Sequence, residues 1–177
     1  MVLPPGSLDA AVLKHLNDLR YRIHKEVCDQ GYHSGLGTFV DYYGGQQLDA
    51  SLLMLPLVSF LPADDPRIVS TVAAIQRDLV RDGFVMRKPP REEVNEGAFL
   101  PCTCWLADCL AMQGKREQAR EALERVLSVR NDLGLLSEEY HLKGRHLAGN
   151  FPQALTHIAV VNTALGLSGP VLQRAGG

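Results

Sequence analysis

The chain has 177 residues, of which 46% are hydrophobic, and this is enough apolar material for one folded domain with its own core. A disordered chain, and a miniprotein that depends on disulfides or a structural metal for its stability, are therefore excluded. Lys and Arg total 18 against 20 Asp and Glu, giving a formal net charge of −2. This balance provides no basic surface for nucleic acid or for an anionic membrane. No apolar run is long enough to cross a bilayer, and residues 1–6 lack a signal-peptide pattern. We expect one cytoplasmic domain over residues 1–177, with neither a nucleic-acid nor a membrane partner.

The cysteines and histidines give no metal or redox pattern. Cys28, Cys102, Cys104 and Cys109 form no Cys-x-x-Cys pair, and the six histidines show neither His-x-x-x-His nor His-Glu-x-x-His spacing. The sequence also lacks a Walker loop, a dinucleotide-binding fingerprint and a Gly-x-Ser-x-Gly elbow. We expect reduced thiols, no metal site and no cofactor.

Helical periodicity dominates the chain, and helices of two kinds alternate along it. Amphipathic helices are predicted over 8–27, 66–82 and 115–129, each with one apolar stripe and charges on the other side. Segments with at most one charge lie over 50–61, 97–113 and 153–167, which is typical of helices buried on most sides. The pair recurs about every 50 residues, as in a helical solenoid or toroid. We predict an all-α fold of alternating outer and inner helices, with Pro56 kinking or shortening the first inner helix.

The loops between these helices are unequal in length. Links from an inner helix to the next outer helix are short, and Asp64 and Asp65 are interpreted as helix caps rather than catalytic groups. Links from an outer helix to the next inner helix run over 29–47, 82–96 and 130–152, and in this layout all three emerge on one face. Loops of that length in a compact domain are usually functional, so this face is the predicted site.

These loops contain the residue types that a carbohydrate site needs. The first combines glycines with aromatic residues such as Tyr43, and the second contains Arg87 and the acidic residues Glu92, Glu93 and Glu96. The third contains Glu138, Glu139 and Tyr140. Inverting glycosidases use one carboxylic acid and one carboxylate. Adjacent glutamates are usually solvated surface residues, so on composition alone both interpretations of Glu138 and Glu139 stay open.

Five blocks make a resemblance specific. Residues 48–53 read LDASLL, 60–67 FLPADDPR, 96–100 EGAFL, 130–140 RNDLGLLSEEY and 149–154 GNFPQA. In this order and spacing, over about residues 23–167, the chain resembles glycoside hydrolase family 15, the glucoamylases and bacterial trehalases.

The resemblance implies an (α/α)6 toroid of six helical hairpins, of which about three are present here, and an inverting hydrolase of α-linked glucosides. It places the general base on Glu138, the first glutamate of the family's Glu-Glu-Tyr motif. Arg87 and Glu96 match family positions that face the substrate. We also expect substrate contacts from Tyr43 and Tyr140.

The chain departs from the family pattern at several positions. The family's general acid lies in a Trp-Glu motif that is absent here, since the single tryptophan, Trp105, is followed by Leu106. Lys88 and His141 replace a family tyrosine and aspartate. We expect the base-bearing C-terminal portion of such an enzyme, weak or inactive without an acid-bearing N-terminal half. Exposed apolar strips on its end helices should lead to self-association or to binding of that half.

A second function remains open, a non-catalytic helical module that binds a protein or a sugar. Residues 114–123 resemble a tetratricopeptide helix on their own. The repeat is nearer 50 than 34 residues and the long loops share one face, and both observations favour the glycosidase.

Overall fold

The computed structural model describes residues 9–89 and 96–169. Residues 1–6, which lack a signal-peptide pattern, and the loop residues Glu92 and Glu93 lie outside the described residues. The α-helices are α1 (Ala10–Gln30), α2 (Met54–Leu57), α3 (Pro66–Leu79), α4 (Leu100–Met112), α5 (Arg116–Leu127) and α6 (Ala154–Ser168). The predicted all-α class and the alternation of outer helices (α1, α3, α5) with inner helices (α2, α4, α6) are confirmed.

The first inner helix is short. It begins as a 3-10 helix over Ala50–Leu53, capped by Asp49, and continues as α2 for only four residues. Pro56 has no N–H to donate, and Ser59 adopts a positive φ of 59°, which turns the chain. The predicted shortening is therefore observed.

The inner helices form a row in which α4 lies between the 3-10/α2 segment and α6. The outer helices α3 and α5 pack on the outside of this row. Nine of the thirteen α4 residues are buried, as the sequence predicts for an inner helix. The core includes Leu53, Ile75, Leu100 and Leu110, each at most 1% exposed.

All four cysteines are free thiols, and the three in α4 are buried. Burial and, after it, the Asp108 carboxylate raise the pKa of the Cys104 thiol to about 12, while a hydrogen bond with the Thr163 side chain opposes the shift. Such a thiol stays protonated at neutral pH. The expected burial is found for the three cysteines of α4, whereas Cys28 is only partly buried.

Asp65 is the N-cap of α3, where its Oδ1 accepts a hydrogen bond of 2.9 Å from the Arg67 N–H. The same carboxylate binds the Arg67 guanidinium through two further bonds of 2.8 and 3.0 Å. The Arg67 side chain lowers the pKa of the Asp65 carboxyl through these bonds, and burial opposes the shift. The interpretation of Asp65 as a helix cap is therefore confirmed, whereas Asp64, which was given the same interpretation, is not the N-cap of α3.

The long loops contain short strands that the periodicity did not predict. The strands are β1 (Tyr32–His33), β2 (Thr38–Phe39), β3 (Val80–Arg81), β4 (Phe84–Val85), β5 (Ala98–Phe99), β6 (Glu139–His141) and β7 (His146–Ala148). They form two hairpins, β1-β2 and β3-β4, and one antiparallel sheet of order β5-β6-β7. Over the residues that the structure describes, no helix is long and apolar enough to cross a membrane.

Candidate active site

The three long loops meet beside the start of α4. We call them loop A (residues 31–49), loop B (80–99) and loop C (128–153). Strand pairing joins loops B and C, since Ala98 lies opposite Tyr140 and Phe99 opposite Glu139. Loop B reaches the end of loop A through the Ala50 N–H, which donates to the Arg87 carbonyl at 2.8 Å. The convergence expected from loop lengths is thus observed.

Glu138 is held by backbone bonds on both sides. Its carbonyl accepts a hydrogen bond of 3.1 Å from the N–H of Leu100, the first residue of α4. Its own N–H donates to the Asn150 carbonyl at 2.9 Å. These bonds fix Glu138 between the start of α4 and the turn that precedes α6.

The Glu138 carboxylate is also held by Asn150. Its Oε2 accepts one bond of 3.1 Å from the Asn150 backbone N–H and one of 2.9 Å from the side-chain amide. Gly149 makes this approach possible, because a Cβ at this position would lie 3.0 Å from both Cβ and Oε2 of Glu138. Gly149 also has a φ of +74°, a conformation that favours glycine. Gly149 and Asn150 therefore fix the position of the Glu138 carboxylate.

Glu139 follows Glu138 directly and is the first residue of β6. Its Oε2 accepts a bond of 3.2 Å from the Gly97 N–H. Burial raises the pKa of the Glu139 carboxyl above its usual range, and the Gly97 hydrogen bond opposes this. The charges of Glu96 and Glu138 raise the same pKa further, so three carboxylates lie close enough to interact.

Arg87 and Lys88 lie beside a buried carboxylate. Asp49 Oδ2 is 3.9 Å from Arg87 Nε and 3.8 Å from Lys88 Nζ. Asp49 Oδ1 meanwhile accepts a bond of 2.8 Å from the Ser51 N–H. Both cationic side chains remain about half exposed, and each can therefore contact a ligand.

Cys102 in the first turn of α4 shows how these charges are grouped. Burial raises the pKa of its thiol, the Asp49 and Glu96 carboxylates raise it further, and the Arg87 guanidinium lowers it. Arg87 and Glu96 from loop B therefore lie near the same helix start that Leu100 joins to Glu138.

The two predicted tyrosines have different positions. Tyr140 is half-buried, with its ring centroid 5.3 Å from that of Phe84, and packs against the core cluster beneath the sheet. Tyr43 lies in loop A and is 45% exposed. No contact between described residues links Tyr43 to Arg87 or Glu138.

Sequence reasoning assigned no role to Asn150, Gly149, Gly97 or Asp49. All four residues lie inside the five blocks that carry the family resemblance. Gly97 and Gly149, which lie beside the glutamates, are the most specific part of that signal. Within the described ranges, no three His, Cys, Asp or Glu side chains are placed to hold a metal ion.

The chain is similar to the proteins of one family over most of its length. Residues 8–165 match Glycosyl hydrolases family 15. A trehalase of Thermoplasma volcanium is 37% identical over 168 residues, which are 93% of this chain and 27% of that protein. A trehalase of Mycobacterium tuberculosis is 42% identical over 149 residues, 81% of this chain and 22% of that protein. The chain thus spans less than a third of these relatives.

A solved wild-type glycosidase has the same fold with a TM-score of 0.76 and 24% identity. The match covers 93% of this chain and 46% of that one.

Proposed function

This chain belongs to glycosyl hydrolases family 15, and on that premise we propose that it contributes the general-base portion of an inverting α-glucosidase of trehalase type. The observation that carries the proposal is the double hydrogen bond from Asn150 to one oxygen of Glu138. These bonds hold the Glu138 carboxylate in one orientation, and a general base has to be positioned in this way toward the water that it deprotonates.

In the proposed reaction, Glu138 accepts a proton from a water molecule. The water oxygen attacks the anomeric carbon of the glucosyl unit from the side opposite the leaving oxygen. A new C–O bond forms as the glycosidic bond breaks, and the configuration inverts. Arg87, held beside Asp49, donates hydrogen bonds to the sugar hydroxyls.

The leaving oxygen also needs a proton from a general acid. In this proposal the acid comes from a segment outside the described residues, because the family resemblance places it in a Trp-Glu motif and the single tryptophan here, Trp105, is followed by Leu106. General acid catalysis is typically worth about 10²–10⁴-fold. The described part is therefore expected to bind sugar but to hydrolyse it weakly without that segment.

Trehalose is the proposed substrate, ahead of maltose-type chains, since the curated relatives are named trehalases. The alternative function is a helical module that binds sugar or protein without catalysis. Lys88 and His141 support it, because each replaces a residue that the family resemblance places beside the substrate.

A chimera in which a related trehalase supplies the general acid tests the proposal. The segment of the Thermoplasma trehalase that matches this chain is replaced by the corresponding residues of this chain, and trehalose hydrolysis is measured. We expect turnover in the chimera and a loss of at least about 10²-fold in the Glu138→Gln variant, with substrate binding by calorimetry nearly unchanged. Glu117→Gln, on the outer surface of α5, is the matched control and should leave turnover unchanged. Sugar binding without turnover in the unsubstituted chimera would favour the alternative function, and unchanged turnover in Glu138→Gln would refute the assignment.

A further inference from the structure

The start of α6 binds the two residues that lead into Glu138. The Gln153 N–H donates to the Leu136 carbonyl at 3.0 Å, and the Thr156 hydroxyl donates to the Ser137 carbonyl at 2.9 Å. Both Ser137 and Thr156 are buried. The backbone directly before the glutamate is therefore held from the α6 side.

His157 completes this contact with both nitrogens of its ring. Its Nε2 lies 3.3 Å from the Leu136 backbone nitrogen, and its Nδ1 lies 2.7 Å from the Gln153 carbonyl oxygen. An N–H group only donates a hydrogen bond and a carbonyl oxygen only accepts one. The two partners therefore require a neutral imidazole that has its proton on Nδ1 and accepts at Nε2. Leu136 is 2% exposed, so water has little access to the N–H that this ring satisfies.

These contacts also limit what His157 can do chemically. Both ring nitrogens are occupied by backbone groups of this chain, so His157 is not available to donate or accept a proton in a reaction. Its effect on a reaction has to pass through the backbone that it holds.

We propose that His157 is a positioning residue for the general base, acting through Leu136 and Ser137 on Glu138. The inference rests on the proposed function of Glu138, because a base needs a fixed position toward the water that it deprotonates. Asn150 holds the Glu138 carboxylate, and His157 holds the backbone that leads to it. Every one of these contacts joins two described residues of this chain, whatever packs against its first and last helices.

Two amide substitutions separate the two ring contacts. In His157→Gln the side-chain oxygen can take the place of Nε2 and accept from the Leu136 N–H. In His157→Asn the shorter side chain reaches only the place of Nδ1, so it can keep the bond to Gln153 but leaves the Leu136 N–H without its acceptor.

Kinetics of the chimera measure the effect on the proposed base. We expect kcat for trehalose to fall about 10-fold in His157→Asn, the scale of leaving one buried donor unpaired. KM should be nearly unchanged, because the base acts on water and not on the bound sugar. His157→Gln is the matched control and should keep most of the turnover. A role in stability alone would lower the Tm of His157→Asn and leave its kcat unchanged.

NMR of the full chain without sugar tests the contact independently of activity. A neutral imidazole with its proton on Nδ1 has its own pattern of ring nitrogen-15 shifts, and both substitutions should remove one such set of signals. Exchange of the Leu136 and Glu138 amide hydrogens should be faster in His157→Asn than in the unsubstituted chain, and little changed in His157→Gln.

Several results would overturn the proposal. They are a His157 ring that is charged or has its proton on Nε2, unchanged amide exchange at Glu138 in His157→Asn, full turnover in that variant, and equal losses in the two variants. Failure of the proposed function has a different signature, which is unchanged turnover in Glu138→Gln. If Glu138→Gln is inactive and His157→Asn is fully active, the base assignment stands and the positioning role of His157 fails.

Discussion

Asn150 binds Glu138 through a single carboxylate oxygen, with its backbone N–H 3.1 Å and its side-chain Nδ2 2.9 Å from Oε2. Both donors belong to the turn before α6, twelve residues along the chain from the glutamate. Since both bonds end on Oε2, the proposed mechanism assigns the water to Oε1. In the proposed mechanism, the oxygen that Asn150 holds is therefore not the oxygen that accepts the proton.

Asn150→Ala removes the side-chain donor and keeps the backbone one. A hydrogen bond to a charged group contributes about 1.5–3 kcal/mol, so trehalose turnover by the chimera should fall by about 10–100-fold. Asn162→Ala, at an exposed α6 position, is the control and should leave turnover unchanged. Equal turnover in the two variants would show that the amide does not position Glu138.

Gly97→Ala should disturb the sheet beneath the glutamates. A Cβ at this position would lie 3.0 Å from Glu139 Oε2 and 3.1 Å from the Tyr140 carbonyl oxygen, so β5 has to move from β6. Gly166→Ala in α6 meets nothing within 4 Å and should stabilise the helix by about 0.5–1 kcal/mol. Thermal unfolding should therefore show a lower Tm for Gly97→Ala and a higher one for Gly166→Ala. A Gly97→Ala protein as stable as the wild type would contradict the packing described for Glu139.

The raised pKa of Glu139 predicts a pH-dependent stability. In the folded chain the Glu139 carboxyl stays protonated to higher pH than in the unfolded chain, where it titrates near 4.5. Folding is therefore favoured below that pH and loses stability as pH rises through the raised pKa. Glu139→Gln should raise the Tm at pH 7 and not at pH 4, and it keeps an oxygen that accepts the Gly97 bond. Glu121→Gln, on the exposed side of α5, should show no such difference, and a Tm gain independent of pH would contradict the assignment.

Asp108 in α4 predicts a second pH effect. Burial raises the pKa of its carboxyl to about 6 from 3.8, and contact with the Thr163 side chain opposes this shift. As with Glu139, the pKa of the carboxyl is higher in the folded chain than in the unfolded chain. Stability is therefore lost as pH rises from about 4 through about 6. The rise from 3.8 to about 6 is on the order of 3 kcal/mol, so Asp108→Asn should raise the Tm at pH 8 by about 6–12 °C. The gain in Tm should vanish near pH 3. A gain that persists at that pH would contradict the raised pKa of the Asp108 carboxyl as its cause.

The sequence predicted the helices far better than the loops. Apolar periodicity placed α3 to α6 within about three residues at each end, because it reports directly which faces are buried. It also anticipated the interruption at Pro56. The strands were missed since two- or three-residue strands such as Ala98–Phe99 contain too few positions to show alternation.

The site was predictable only in part. The resemblance named Glu138, Arg87 and Glu96, and their roles remain predictions. It did not indicate that Asn150 binds Glu138 or that Asp49 lies beside Arg87, because these contacts join residues 12 and 38 positions apart through loop conformations that leave no periodic signal.

The most direct test of Glu138 as the general base is chemical rescue of its Glu138→Ala variant in the chimera. Azide fits the space left by the carboxylate and needs no base, so it can attack the anomeric carbon from the side where water would. The account predicts little trehalose hydrolysis by the variant, activity that rises with azide concentration, and β-glucosyl azide as the product. Full hydrolysis by Glu138→Ala, or a lost activity that azide does not restore, would contradict it.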